Sequence, residues 1–183
     1  MMNQLSDEQL MKHLAQGNKQ AAGILYDRYH PKVFGYFVRQ IRNQESSRDL
    51  TQNVFLKVIK YSSSWKDDKV FAYWLFHIAR NILIDFHRAA RHFYDIDEEP
   101  EIATRDMEQS IRSSEARESY DLLLDAMAKL PPGSRELIEL NRFQGFSYKE
   151  IAATIDSTEN AVKVKTFRAI QKLKEIYEKI IVE

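Results

Sequence analysis

The sequence predicts an all-α fold: two small helical domains joined by an acidic flexible linker, the second containing a helix-turn-helix. Three observations carry that expectation. Apolar residues recur at helical intervals along most of the chain. Five Gly and four Pro in 183 residues are too few for a turn-rich β fold. The charges, 27 basic and 27 acidic, cancel overall but are unevenly laid out. Residues 1–93 carry 14 basic and 8 acidic groups, 94–118 carry 3 and 9, and 119–183 carry 10 of each. Like charges repel and extend a chain. The stretch 94–118, with Pro100 and little apolar periodicity, therefore reads as a linker between domains 1–93 and 119–183.

Each element has its own local signal. Ser6-Asp7-Glu8-Gln9 has capping-box spacing, Leu10 and Leu14 follow, and Gly17 ends the first helix. The second begins near Asn18 with a stripe of Ile24, Leu25, Tyr29, Val33, Phe34 and Phe37, and Pro31 is expected to bend it or start a fresh helix. Ser47 is the expected cap of a third, whose apolar face is Leu50, Val54, Phe55 and Val58. A fourth runs from about Lys69 to Arg91 and buries Trp74, Leu75, Ile78, Ile82 and Phe86. Beyond the linker a helix is expected near 119–129, broken at Leu130-Pro131-Pro132-Gly133-Ser134, with another near 135–143 closed by Gly145. Ser147-Tyr148-Lys149-Glu150 is a second capping box, opening a short helix. A turn at Asp156-Ser157-Thr158 leads into a long helix from Glu159 to about Ile180, which completes the helix-turn-helix pattern.

Composition excludes several classes. With 44% hydrophobic and 30% charged residues the chain reads as soluble and globular. No apolar run approaches the roughly 20 residues that span a bilayer. The first eight residues lack the basic and hydrophobic segments of a signal peptide. A cytoplasmic protein with no membrane insertion is expected. The absence of Cys removes disulfides, thiolate metal sites and a Cys nucleophile. His13, His30, His77, His87 and His92 show no metal-ligand spacing with carboxylates, and no Ser sits in a nucleophile turn. No catalysis, metal or cofactor is expected.

Two stretches carry chemistry that suits nucleic acid. On the last helix Val162, Thr166, Ala169, Ile170 and Leu173 share the packed face. Val164, Phe167, Arg168 and Gln171 lie opposite, flanked by Lys163, Lys165 and Lys172. An outward Phe among cations suits a major groove, where the ring meets a thymine methyl and the cations take phosphates. The alternative is an ordinary solvated helix with Phe167 packed on a neighbour. Between Trp65 and Tyr94 lie eight of the 21 aromatic residues, interleaved with Lys66, Lys69, Arg80, Arg88 and Arg91. Aromatic platforms beside cations can stack and neutralise single-stranded nucleotides, although aromatics at helical spacing also build cores. The loop 62–68 with Trp65 is the part expected to be exposed.

These stretches together resemble the extracytoplasmic-function sigma factors of the sigma-70 family, over about 18–93 and 119–178. The resemblance rests on Asp49-Leu50-Thr51-Gln52-Asn53-Val54-Phe55-Leu56-Lys57-Val58 and on the run from Phe71 to Phe86. It continues in Leu130-Pro131-Pro132-Gly133-Ser134-Arg135, Phe146 to Ala152, and Ala161 to Ala169. The resemblance implies an alternative sigma factor, a non-enzymatic subunit that recognises two promoter elements and melts DNA through binding energy alone. Asp49, Gln52, Asn53 and Leu56 would face the clamp helices of the core RNA polymerase largest subunit. Asn53 stands where the family usually has Glu. The second domain would meet the flap of the second-largest subunit. Trp65, Lys66, Phe71, Arg80, Asn81, Arg88 and Arg91 would hold the melted downstream (minus-ten) strand. Lys163, Val164, Lys165, Phe167, Arg168 and Lys172 would read the duplex upstream (minus-thirty-five) element. An anti-sigma factor is a further expected partner, and the acidic linker would thread toward the active-site cleft. Two other readings are a stand-alone helix-turn-helix regulator and a sigma mimic that titrates an anti-sigma factor. The first would not need the Asp49–Lys57 surface; the second could dispense with the basic readers.

Overall fold

The computed structural model describes residues 2–66, 70–93 and 114–182, and every regular element among them is helical. They group into two compact units, one of residues 1–38 and 43–102 and one of 39–42 and 103–183. In the first unit a 3-10 turn (Met2–Gln4) precedes α1 (Asp7–Ala15), α2 (Lys19–Ile41, whose last three residues belong to the second unit), α3 (Gln44–Lys60), a 3-10 turn (Ser62–Ser64) and α4 (Phe71–Phe93). The capping box of α1 forms as the sequence predicts, with Ser6 Oγ accepting from Gln9 N–H and Gln9 Oε1 from Ser6 N–H. Gly17 then turns the chain at φ 90°, where a residue with a Cβ is strained.

Two expectations are corrected here. α2 continues through Pro31, so no fresh helix starts there. Proline leaves the carbonyl four residues back without its helical partner, but Pro31 and Asp27 are both on the exposed side, where water can serve it. Buried Tyr29, Val33, Tyr36 and Phe37 hold the turns on either side. α3 is capped by Asn43, not Ser47: Asn43 Oδ1 accepts from Ser46 N–H at 2.8 Å. Ser47 is buried one turn inside, and its hydroxyl donates to the Asn43 carbonyl at 2.6 Å.

The core of this unit is aromatic. Tyr36, Phe37, Phe71 and Phe76 are essentially fully buried, with Leu10, Met11, Leu25 and Leu75 among them. Tyr36 packs edge-on against Phe37 and Phe76 at 5.3 and 5.6 Å between centroids. Along α4, Leu75, Ile78 and Ile82 are buried as the periodicity demands, whereas Trp74 and Phe86 are half-buried.

The second unit contains α5 (Ser114–Ala128), α6 (Pro132–Ile138), α7 (Tyr148–Thr154) and α8 (Glu159–Val182). α5 begins before the expected position near 119. The expected break does separate α5 from α6, but α6 starts earlier than expected, at Pro132, because proline at the first helical position gives up an amide that has no helical partner there anyway. α6 widens into a π turn over Glu139–Phe143, with Gln144 N–H reaching the Glu139 carbonyl at 3.1 Å, and Gly145 ends it at φ 75°. The second capping box, Ser147 with Glu150, opens α7. Asp156 turns the chain at φ 54°, a conformation Asp tolerates better than most. Thr158 Oγ1 then accepts from Ala161 N–H at 3.3 Å and starts α8.

α8 packs against α5, α6 and α7, and its Ala169 joins Met127, Leu130 and Ile138 in the core. Two polar residues of this unit, among those described, are completely buried. Glu139 is fully buried and accepts from Arg39 Nε and Nη2 at 2.6 and 2.7 Å and from Gln144 Nε2 at 2.8 Å. Burial pushes its carboxyl above the ordinary value, against the pull of Arg39 and Gln144. Thr166, also fully buried, has a hydroxyl without a hydrogen-bond partner. Replacing Thr166 with Val keeps the shape and removes the orphaned group. The variant is expected to gain about 1 kcal/mol of unfolding free energy in urea titration. Destabilisation of the same size would show that the hydroxyl is served.

Candidate nucleic-acid interface

The outward face of α8 follows from its inward one. Val162, Thr166 and Ala169 are buried, so the residues between them turn outward. Lys163, Val164, Lys165, Phe167, Arg168 and Lys172 are all exposed. Phe167 is 62% exposed and Val164 49%, so the alternative in which Phe167 packs on a neighbour does not hold. A large apolar ring left in water, rimmed by cations, is the arrangement that gains from a ligand offering both methyl groups and phosphates. Lys172 also pairs with Glu175 at 3.2 Å, an exposed bridge of small energetic weight. Ile170 and Leu173, expected on the packed face, are half-buried there.

In the first unit Asp49, Gln52, Asn53 and Leu56 are exposed along one face of α3, opposite the buried Leu50, Val54 and Val58. Leu56 is 59% exposed. Asn53 and Leu56 also line a groove between α3 and α4, with Leu50, Lys57, Ile82 and Phe86. Ile82 and Phe86 are the lining residues that the sequence reading assigns to the buried face of α4 and not to this surface. The signal available was Phe86, four residues past the buried Ile82, which continues the apolar face of α4 beyond its buried stretch.

The aromatic segment is redistributed by the structure. Trp65, expected to be exposed, is 8% exposed, and Phe71 is completely buried. Neither presents a free face for stacking. Both are drawn inward because the flanking helices leave an apolar space that the segment itself must fill: Phe71 packs edge-on against Tyr29 at 5.2 Å. Apart from Val70 and Ile84, what remains outward is polar. Ser63, Ser64, Lys66, Asn81 and Arg88 are exposed, and Arg80 is half-buried. Arg88 lies 3.7 Å from Asp85 in an exposed pair. Arg91 belongs to α4, but its side chain lies outside the described residues, as does Lys69; so does the acidic stretch 94–113.

The structure thus brings together the six α8 residues on one surface and the four α3 residues on another. Lys66, Asn81 and Arg88 remain exposed in the first unit, while Trp65 and Phe71 become its scaffold. Among the described residues no cluster of His, Asp and Glu could hold a metal ion, and no helix is long and apolar enough to cross a membrane.

Comparison with known proteins follows the same division. Residues 25–93 match Sigma-70 region 2, and residues 120–173 match Sigma-70, region 4. RNA polymerase sigma factor CarQ of Myxococcus xanthus is 30% identical over 172 residues, covering 91% of this chain and 94% of CarQ. The ECF RNA polymerase sigma factor BldN of Streptomyces coelicolor is 28% identical over 167 residues; the match covers 90% of this chain but only 63% of BldN's length. Among solved structures, that of CnrH in complex with the cytosolic domain of CnrY matches with a TM-score of 0.74 at 25% identity, covering 94% of this chain and 97% of that one.

Proposed function

Because the chain belongs to the extracytoplasmic-function RNA polymerase sigma factors of the sigma-70 family, and is an alternative sigma factor of transcription initiation, we propose how its surfaces divide that work. The α3 face of Asp49, Gln52, Asn53 and Leu56 docks on the clamp helices of the core polymerase largest subunit. The second unit meets the flap of the second-largest subunit. The outward α8 face enters the major groove of the upstream element: Phe167 and Val164 meet thymine methyl groups, Arg168 a base edge or phosphate, and the lysines the backbone. Asn81 and Lys66 hold melted downstream bases, with Arg80, Arg88 and Arg91 on the strand's phosphates. An anti-sigma factor that covers the α3 face would compete with polymerase for it.

The observation that carries this reading is the pair of outward apolar side chains, Phe167 and Val164, set among cations on α8. A helix serving only as structure would place small or polar residues there. The test is transcription reconstituted from the purified chain, core polymerase and genomic fragments from its source organism, with starts mapped. Discrete starts that share two spaced upstream elements, and that core alone does not produce, are expected. Starts without shared elements would contradict the reading.

On a promoter found in this way, Arg168→Ala is expected to lower transcription about tenfold, the scale of one lost bidentate base contact, with binding to core polymerase unchanged. Loss of polymerase binding in that variant would overturn the assignment of the two surfaces.

A further inference from the structure

α4, which carries Asn81, has at its capping position a residue that cannot cap it. Its first helical bond runs from Trp74 N–H to the Val70 carbonyl at 3.4 Å, which puts a valine at the capping position, where no side-chain oxygen is available. The Phe71 amide, one of the unpartnered amides that open every helix, instead donates to Glu8 Oε1 at 3.3 Å, a bond across 63 residues of sequence. Glu8 lies in the first turn of α1, and a carboxylate there also complements the positive end of α4.

The neighbouring Asp7 holds the same residue by a second route. Its carboxylate accepts from Arg28 Nη1 at 2.6 Å and from the Tyr29 hydroxyl at 2.5 Å, and the Tyr29 ring is the one that packs on Phe71. Burial, with that hydrogen bond to Asp7, pushes the Tyr29 phenol well above its ordinary value, so it remains a donor at any physiological pH. α1 also packs on the Ser62–Ser64 turn as well as on α4. One short helix therefore fixes the chain on both sides of the segment that leads into α4.

We propose that Glu8, supported by Asp7, is a positioning residue for reading the melted strand: it caps α4 from α1 and so fixes the register from which Asn81 and Lys66 meet unpaired bases. This rests on the sigma-factor reading above. Without the cap the first turn of α4 frays, and base capture must also order that turn, which weakens discrimination between the correct and a substituted base.

The test uses holoenzyme assembled from the full chain and core polymerase. The readout is the ratio of transcription from a mapped promoter to that from the same promoter with its downstream unpaired base substituted. Glu8→Ala and Glu8→Asp, the latter keeping the charge but falling one methylene short, are expected to lower this ratio roughly fivefold, the factor that a helix cap of ordinary strength represents. Glu8→Gln, which keeps an acceptor at the same reach, is expected to retain it. A ratio unchanged in Glu8→Asp, or equal loss on both promoters, would overturn the proposal, as would Glu8→Gln behaving like Glu8→Asp. Should Glu8→Ala not fold, the Asp and Gln variants carry the same comparison. Hydrogen exchange of the Phe71 amide in the free chain separates the two levels. If wild-type holoenzyme gives no starts, the sigma-factor reading fails; if exchange is no faster in Glu8→Asp than in wild type, the cap itself fails.

Discussion

Leu56→Glu is expected to weaken binding to core polymerase about thirtyfold, the effect of losing one strong interface anchor. Leu56 is 59% exposed beside a groove whose floor includes Ile82 and Phe86, and Asp49, Gln52 and Asn53 share its helix face. An apolar anchor with polar neighbours is the pattern in which a few side chains dominate association. Glutamate places a charge where the leucine would be desolvated, so the free energy is lost on binding and not on folding. The unfolding midpoint of the free chain should therefore stay within the small range of surface substitutions. A titration of labelled core polymerase with wild type and variant decides it. Equal affinities would remove α3 from the polymerase interface.

Arg135→Met is expected to cost about 3 kcal/mol of stability in the second unit, near the value of one or two lost hydrogen bonds to a charged group. Arg135 Nε donates to the Met127 carbonyl at 2.9 Å, and Nη2 donates to those of Ala128 and Leu130 at 2.6 and 3.1 Å. These carbonyls lie at and just beyond the end of α5, its negative pole, where backbone partners run short: that of Met127 also accepts from Leu130 N–H at 3.1 Å. Burial, together with nearby Arg42, lowers the Arg135 pKa, so the carbonyls are what keep a cation acceptable there. Methionine fills comparable space and serves none of them. Lysine should restore only part of the loss, since a single ammonium cannot reach carbonyls spread along a planar fork. Urea unfolding of the three proteins gives the ordering wild type, Lys, Met; a methionine variant as stable as wild type would contradict it.

The difference between what was legible in the sequence and what was not is one of range. The capping boxes at Ser6 and Ser147 and the buried face of α8 depend on neighbours within four residues, so their residue types announced them. The outward set from Lys163 to Arg168 followed from that same periodicity, and the family resemblance supplied its meaning. A fresh helix at Pro31 does not form because the penalty of proline is local, whereas the packing of Tyr29, Val33 and Phe37 that carries the helix through is not. Trp65 and Phe71 misled for a related reason. Interleaved cations suggested an exposed platform, but aromatic side chains carry much apolar surface and fill whatever space neighbouring helices leave. The Arg135 bonds to the end of α5 and the Glu8 cap on α4 were invisible, because a side chain that closes a distant helix leaves no periodic mark.

The central claim is that two surfaces, on α8 and on the first unit, read two separate promoter elements. Transcription by wild-type, Arg168→Ala and Asn81→Ala holoenzymes, on a mapped promoter with single-base changes in either element, tests it most directly. The account predicts that Arg168→Ala loses sensitivity to upstream changes and keeps it for downstream ones, with Asn81→Ala doing the reverse. If either variant lost sensitivity to both elements, or to the wrong one, the division of labour would be contradicted.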